Sequence, residues 1–531
     1  MSRRRDWLWA LLLLTALQAV SLHKSFWGAH GEARRAEVAR EVLEDGHWLV
    51  PTLLGEPFLT KPPLLYWAGA GSMALFGVSE WAVRLPALLA ALLAWLAMLS
   101  LARSYAEDLA EVGSPPDHTP EEAALALLGL PLFLAMSLNA ETEPLLLACG
   151  LWAVAGVLRL PPRGQPRSWP GLLLPIVALS LGFLVKGPLG WIFPLLGLVA
   201  FESGLPVQRR RLGAADWLWL LLGQLPLVLP WFLLVLARHP DALQIWLGES
   251  VARVTDAGFQ VHREPWWYYL PQLAVFLPAL LWLDPRVWRE RTRRIPLLWL
   301  GAGVLFLSLA ASKRGHYLLS LAPAAALLVL AAGPPGRWSR WRDRLLGVLT
   351  VLLALLFPAA LLLLTARGWL TFSPALLAGW VLALAALALW WRPPVRGSLA
   401  RWGLVLLTVL LGGAFSLLPA LDAYRSPKAF YLEAAALATD GRPLVNWRND
   451  RYSASFHLRR PVRPARTVED LARLLPRGGW LLSQEQDLKD LPVPMDIVLR
   501  RMQRDPFQAD HQRRWVLARV GPPASASPDR P

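Results

Sequence analysis

The sequence predicts a mainly helical protein that crosses a membrane many times and carries a small α/β domain near its C-terminus. Three observations lead there. Of 531 residues, 55% are hydrophobic and only 17% are charged, a balance too apolar for a soluble globule. Apolar runs of about 17–25 residues, the length that crosses a bilayer, recur along most of the chain. After Pro419 the composition changes to short apolar strands separated by polar turns.

Thirteen runs qualify as spans: 7–22, 81–102, 121–138, 143–160, 171–186, 188–202, 215–237, 267–284, 295–311, 316–333, 344–366, 373–391 and 401–418. The first follows Arg3-Arg4-Arg5 and imitates a signal peptide. It lacks a small-residue cleavage site, and Trp7 and Trp9 suit an interfacial anchor, so it reads as an uncleaved span. With those arginines in the cytoplasm, the inside loops hold Arg159, Arg163 and Arg167, then Arg209–Arg211, then Arg286–Arg294, Arg337–Arg344 and Arg392–Arg401. This is the positive-inside bias. Loop 103–120 dissents with Glu107, Asp108 and Glu111, but acidic residues weigh little in that rule. An odd span count puts the C-terminal region outside. The net charge of +16 is then a topology signal and a contact with anionic membrane lipids. Basic residues scattered over short loops argue against nucleic-acid binding.

Of the 54 basic residues only Lys24, Lys61, Lys186, Lys313, Lys428 and Lys489 are lysine, and none falls in an inside loop. Lysine is a compact point charge suited to phosphate. The single cysteine, Cys149, lies in a span, so no intramolecular disulfide forms. No repeat, nucleotide-binding glycine loop or Cys/His zinc framework is evident.

The first outer stretch, Ser25 to Trp67, is charged amid apolar surroundings. From Glu32 to Leu43 the residues Ala36, Ala39, Val42 and Leu43 share one helical face, Arg35, Arg40, Glu41 and Glu44 lie elsewhere, and Gly46 can end the helix. This reads as an amphipathic helix at the membrane surface, followed by a proline-punctuated loop to Thr60-Lys61-Pro62-Pro63. Residues 68–80 read as a second short apolar helix. On these residues alone a connector without chemistry fits as well as a site. The run Glu32-Ala33-Arg34, Ala36-Glu37, Ala39-Arg40-Glu41, Gly46, Trp48, Val50-Pro51, Gly55, Pro57, Lys61-Pro62-Pro63 and Tyr66-Trp67 resembles the first outer loop of the aminoarabinose transferase family, which belongs with the protein mannosyltransferase-like membrane enzymes of the GT-C class.

Later motifs extend the resemblance. The outer turn Asn139-Ala140-Glu141-Thr142-Glu143-Pro144 places two carboxylates at a membrane boundary, costly unless solvated or employed. The family has an acidic residue before proline there, and Glu143 occupies that place. Val185-Lys186-Gly187-Pro188 resembles the family's Lys-Gly-Pro corner; by itself it reads equally as a snorkelling lysine. Pro226, Pro230 and Trp231 form a family-like kink. Loop 238–266 ends in His262-Arg263-Glu264-Pro265 and an aromatic cluster, and His262 matches a family histidine. Ser312-Lys313-Arg314-Gly315-His316-Tyr317 reads as a cradle for an anionic headgroup. Residues 419–523 show strands at Leu444–Trp447, Trp480–Ser483, Ile497–Leu499 and Trp515–Val520, and helices at Phe430–Leu437 and Thr467–Leu475. They read as a small outer α/β domain without a catalytic constellation. Residues 524–531 read as a disordered tail, leaving 1–418 as the transmembrane domain.

The resemblance implies transfer of a sugar from a polyprenyl-phosphate donor to a lipid (lipid A-like), glycan or protein acceptor, at the outer face of a bacterial cytoplasmic membrane. Arg34, Lys61, Lys186, Lys313 and Tyr317 would bind the donor phosphate. His262 would contact metal or substrate, a divalent cation being left open. The family's loop opens Asp-Glu, with the Asp as proposed base, whereas this chain has Gly31-Glu32. Glu32 is therefore expected as base and Glu143 in support, and Gly31→Asp is expected to be tolerated. Arg35 stands where the family has an aromatic. Two other readings stay open: a catalytically silent binding or scaffold relative, favoured by Gly31, and a transporter or flippase of lipid-linked intermediates, which would show inverted repeats and mid-span charges.

Overall fold

The computed structural model of the protein describes residues 2–521 apart from 23, 27–30, 167–168, 256–263, 334–335, 369, 393–396, 449–451, 490, 492 and 505–511. The tail expected at 524–531 and His262 lie outside the described residues.

The chain opens with α1 (Ser2–Ser21), α2 (Glu32–Glu44), a minimal hairpin of β1 (Thr52–Leu53) and β2 (Glu56–Pro57), and α3 (Leu64–Phe76). The bundle continues with α4 (Glu80–Glu111), α5 (Pro120–Leu128), α6 (Pro131–Ser137), α7 (Thr142–Leu158), α8 (Leu173–Lys186) and α9 (Leu189–Gly204). Then come α10 (Ala214–Leu222), α11 (Leu225–Arg238), α12 (Ala242–Thr255) and the short α13 (Tyr269–Gln272), α14 (Leu277–Leu280) and α15 (Pro285–Arg289). The set closes with α16 (Ile295–Leu309), α17 (Ala322–Ala331), α18 (Arg337–Ala366), α19 (Pro374–Trp391) and α20 (Ser398–Arg425).

Among the described residues, α4, α10 with α11, α18, α19 and α20 as far as Pro419 are long and apolar enough to cross a membrane. α5 and α6, bent by 62°, make one more if taken as a broken span. The bend has a local cause. Pro131 opens α6, and Leu130 before it is held extended, which stops α5. The other predicted runs fall on apolar helical segments of 10–17 residues. The protein is a multi-pass helical membrane protein, and the count of thirteen spans stays an expectation.

The corner between α8 and α9 is tight. Gly187 closes α8 at φ 63°, the left-handed conformation that glycine adopts without strain. A Cβ on Gly190 would lie 2.2 Å from the Gly182 backbone. Backbone therefore meets backbone, as in membrane helix pairs built on small residues. This pins Lys186 at the end of α8.

α2 forms where expected but does not lie free on a surface. Glu37, Arg40 and Glu41 are buried along with Ala33, Ala36, Ala39 and Val42, because the helix is packed between α3 and the C-terminal domain. Its charges are satisfied internally. Arg40 holds both oxygens of Glu37 at 2.8 and 3.0 Å. Glu41 accepts from Thr52 Oγ1 at 2.5 Å and from the Leu54 and Gly55 amides at 2.6 and 3.2 Å. Leu54 and Gly55 both have positive φ, the two-residue turn that fits the twist of a hairpin.

α20 runs through Pro419 to Arg425, so the C-terminal domain begins some residues later than composition suggests. It comprises α21 (Lys428–Leu437), β3 (Leu444–Trp447), α22 (Tyr452–Leu458), β4 (Arg463–Ala465), α23 (Val468–Leu474), β5 (Gly479–Gln484), β6 (Met495–Arg504) and β7 (Gln512–Val520). The strand order is β4-β3-β5-β7-β6, with β3 parallel to β4 and β5 and the other pairs antiparallel. Alternate residues face opposite ways. Trp480, Leu482, Trp515 and Leu517 pack with Phe430 and Tyr431, while Leu481, Val516 and Ala518 pack with Leu471 and Leu475. Thr467 caps α23 in a reciprocal box with Asp470, as its spacing predicts.

The domain seats on the bundle beside α2. Phe456 meets Phe26 edge-on at 5.1 Å. The buried Glu80 accepts from the Phe26 amide at 3.0 Å and pairs with Lys428, and His457 Nε2 stands 3.4 Å away. Removing this carboxylate leaves Lys428 and the Phe26 amide without their acceptor. Because Lys428 is 38% exposed and can be solvated, Glu80→Ala should destabilise the seating by about 1–3 kcal/mol. Faster limited proteolysis around residues 426–430 would report the loss, and an unchanged rate would refute it.

Candidate active site

The chemistry-bearing side chains gather at one end of the bundle, where the N-terminus of α7, the end of α8 and the 3-10 turn Gly315–Leu321 meet. Glu143 lies in the first turn of α7 and is 2% exposed. Its Oε1 accepts from Lys186 Nζ at 2.5 Å, with His316 Nε2 at 3.4 Å, and its Oε2 accepts from Thr142 Oγ1 at 2.9 Å. Lys186 also sits over the Tyr317 ring, 4.5 Å from its centroid. The expected Glu143, Lys186 and Tyr317 are thus brought together.

Beside them, the first turn of α2 straddles the turn that leads into α7. Arg35 pairs with Glu141 at 2.6 Å and donates to the Ala140 carbonyl at 3.4 Å. Glu32 accepts from the Ala140 amide at 2.8 Å and from Arg84 Nε and Nη2 at 2.6 and 2.8 Å. Lys24 donates to Asn139 Oδ1. Burial works against the charged form of Glu32, but the charge and hydrogen bonds of Arg84 outweigh it and hold this carboxyl below the usual range. Burial pushes Glu141 up to about 7, with Arg35 pulling down and Glu143 and Glu32 pushing up. Burial also lowers Lys24 to about 8, against the attraction of Glu32.

Other expected residues lie apart from this cluster or make different contacts. Lys313 is buried and donates to the Glu264 and Ala310 carbonyls at 3.0 and 2.6 Å, so it ties the 264 loop to the end of α16. The Arg34 guanidinium lies over Phe58 at 5.7 Å, and Lys61 is half-buried in the loop after the hairpin. The segments on both sides of the hairpin are held by tryptophans. Trp67, Trp231 and Trp246 donate to the carbonyls of Trp48, Leu49 and Leu59. Among the described residues no group of three His, Cys, Asp or Glu side chains is placed to hold a metal ion.

Sequence reasoning missed Arg84, His316, Glu141 and Arg35 as members of the cluster. His316 and Glu141 lay inside motifs already singled out. Arg84 had a signal of its own, an arginine just inside an outer span end, where an unpaired charge is costly.

Residues 60–233 match the dolichyl-phosphate-mannose-protein mannosyltransferase family. Across 447 residues the chain is 28% identical to an undecaprenyl phosphate-alpha-4-amino-4-deoxy-L-arabinose arabinosyl transferase of Serratia proteamaculans, covering 76% of each protein. A Pseudomonas fluorescens protein of the same description is 29% identical over 472 residues, covering 81% of this chain and 79% of its own. The fold matches the crystal structure of ArnT from Cupriavidus metallidurans bound to undecaprenyl phosphate. The TM-score is 0.72 at 20% identity, over 98% of this chain and 99% of that one.

The chain is an ArnT-like GT-C glycosyltransferase.

The geometry changes one expectation for this ArnT-like site. Gly31, at the position of the family's Asp, has φ 79° and ψ −104°. That is a glycine conformation, and an L side chain there costs about 1–3 kcal/mol. Gly31→Asp should therefore lower the apparent melting temperature and bring no gain in rate. A variant as stable as wild type with higher activity would overturn this.

A second expectation concerns pH. The Glu141 carboxyl titrates at about 7 when folded, against an ordinary value of 4.5. A raised carboxyl contributes stability that is fully present below pH 4.5 and is lost as pH rises through 7. Wild type should lose apparent stability from pH 5 to 8, and Glu141→Gln should remove on the order of 1–3 kcal/mol of that loss. Parallel melting curves for the two proteins across this range would refute the assignment.

Proposed function

We propose that the protein transfers a sugar from a polyprenyl-phosphate donor to a hydroxyl or amine of a lipid A-like, glycan or protein acceptor, at the outer face of a bacterial cytoplasmic membrane. The observation that carries this reading is the cluster of Lys186, Glu143, His316 and Tyr317 beside Arg35 and Glu141 at one bundle end. Lysines 24 and 186 sit at that end, and the arginines of the α4, α7 and α9 C-termini sit at the other. This supports the outward assignment. The relatives are named as undecaprenyl-phosphate sugar transferases, which supports the donor class.

The reaction needs no protein nucleophile. The acceptor atom attacks the anomeric carbon as the bond to phosphate breaks. The polyprenyl phosphate leaves with the electron pair, and the acceptor proton passes to a carboxylate. Lys186 neutralises the leaving phosphate, and Tyr317 beside it can donate a hydrogen bond; Arg34, Lys61 and Lys313 belong to the surrounding loops. Of the three carboxylates near the turn, Glu32 is saturated by Arg84 and Ala140. Glu143 is 2% exposed and tied to Lys186. Glu141 is 19% exposed and titrates near working pH, the properties a general base needs. The base role moves from Glu32 to Glu141, Glu143 holds Lys186, and Glu32 holds the turn.

In a transfer assay with undecaprenyl-phosphate sugars, Lys186→Ala should raise the donor KM or abolish transfer. Glu141→Gln should lower kcat by about a hundredfold or more and erase a rise in rate through pH 7. Near-full activity in Glu141→Gln with a dead, stably folded Glu143→Gln would transfer the base role to Glu143. No transfer by wild type from any polyprenyl-phosphate sugar would refute the function.

A further inference from the structure

A second polar site lies at the opposite end of the bundle. It is a cavity of about 530 Å³ between the C-terminal halves of α4 and α7 and the segment after α9. One face of α4 leads into it. Leu89, Leu93, Leu96, Ser100, Arg103 and Glu107 follow at alternating spacings of four and three, so they form a single stripe along the helix. The first three are about half exposed, and Leu96, Ser100, Arg103 and Glu107 line the cavity itself. The stripe passes from apolar to hydroxyl to charged within five helical turns.

The facing wall comes from α7, where the Arg159 guanidinium rests over the Trp152 ring at 5.5 Å. Among the described residues no carboxylate pairs with Arg159. The floor is Arg209 and Arg211. Buried Asp108 fixes both, at 2.7 and 2.8 Å, and Glu111 holds Arg209 from the rim at 2.6 Å. Arg103 reaches Glu121 at 3.2 Å, but that pair is exposed and contributes little. Arg103 and Arg159 can therefore turn their planar donor forks to a phosphate, above a floor that is already locked.

We propose that this cavity binds the phosphate headgroup of an anionic membrane lipid, with an acyl chain laid along Leu89, Leu93 and Leu96. A soluble phosphate would use the arginines and leave the leucine stripe and the Trp152 rim without a role. A lipid uses all of them, with the tryptophan at the interface between chain and headgroup. The site is distant from the Lys186 cluster and does not depend on the transfer reaction.

The test is equilibrium binding of tail-labelled phosphatidic acid to the full-length protein in neutral-detergent micelles. Phosphatidylcholine and inorganic phosphate serve as competitors. Wild type should bind phosphatidic acid, resist competition by phosphatidylcholine, and resist millimolar inorganic phosphate. The double change Arg103→Ala with Arg159→Ala should weaken binding about thirtyfold, at roughly 1 kcal/mol for each arginine near a membrane surface. Ser100→Trp, which fills the cavity and keeps every arginine, should weaken it as well. Arg337→Ala with Arg340→Ala, two exposed arginines elsewhere, should leave it unchanged. Equal binding by wild type and both cavity variants overturns the proposal, as does an equal loss in the Arg337/Arg340 control. Full displacement by inorganic phosphate overturns the lipid occupant.

Discussion

Glu32 and Arg84 are 52 residues apart in sequence and meet in the interior, with two donors of Arg84 matched to the two carboxylate oxygens of Glu32 in one fork. Neither charge could stay there alone, because a buried ion without a partner costs several kcal/mol. The pair fixes α2 against α4. Arg84 also bonds the Lys24 and Ser25 carbonyls, so the chain leaving α1 is fixed as well. Through Ala140, Glu32 then sets the turn that opens α7. Glu141 and Glu143 take their positions from that turn. The arrangement of the site thus descends from one ion pair that does not itself face it.

The Lys186–Glu143 pair has a different character. Both groups are nearly buried, 6% and 2% exposed, and buried pairs give little net stability once desolvation is counted. Such a pair makes sense where an anion is to be received. On the proposed reading, a bound phosphate would add negative charge beside Lys186 and the partly exposed His316, and the cation would then be shared between Glu143 and the ligand. The rigid α8–α9 corner, closed at Gly187 and packed through Gly182 and Gly190, keeps Lys186 from following the ligand. Positional cost is met during folding rather than during binding.

The C-terminal domain contributes position rather than chemistry. Its sheet is covered on both faces, so it stands as its own folding unit. Its contacts with the bundle run through α22, Lys428 and His457 to α2 and Glu80. α2 carries Glu32 and Arg35, and Glu80 holds the Phe26 amide. The domain therefore braces the outer side of α2, which explains why the charged face of that helix is buried instead of lying in headgroup water.

Periodicity and composition were enough for several elements. The bounds of α2, the strands β3, β5 and β7, and the capping box at Thr467 follow from local rules that need no distant partner. Glu143, Lys186 and Tyr317 lie in the short motifs Asn139–Pro144, Val185–Pro188 and Ser312–Tyr317 that carry the family resemblance, and the fold brings the three together. What the sequence could not decide is which acid meets which base. Glu32 looks like a free carboxylate in the chain and is a structural anchor in the fold, because Arg84 comes from another helix. Lys313 looks like a phosphate ligand and instead bonds two carbonyls. The cavity walled by Arg103, Arg159 and Arg211 draws on three segments, none of which signals it alone. Local patterning determines where helices start, stop and turn, since those energies are set by neighbours within a few residues. Partner choice among buried charges is settled only when tertiary packing fixes which of them share the same desolvated space.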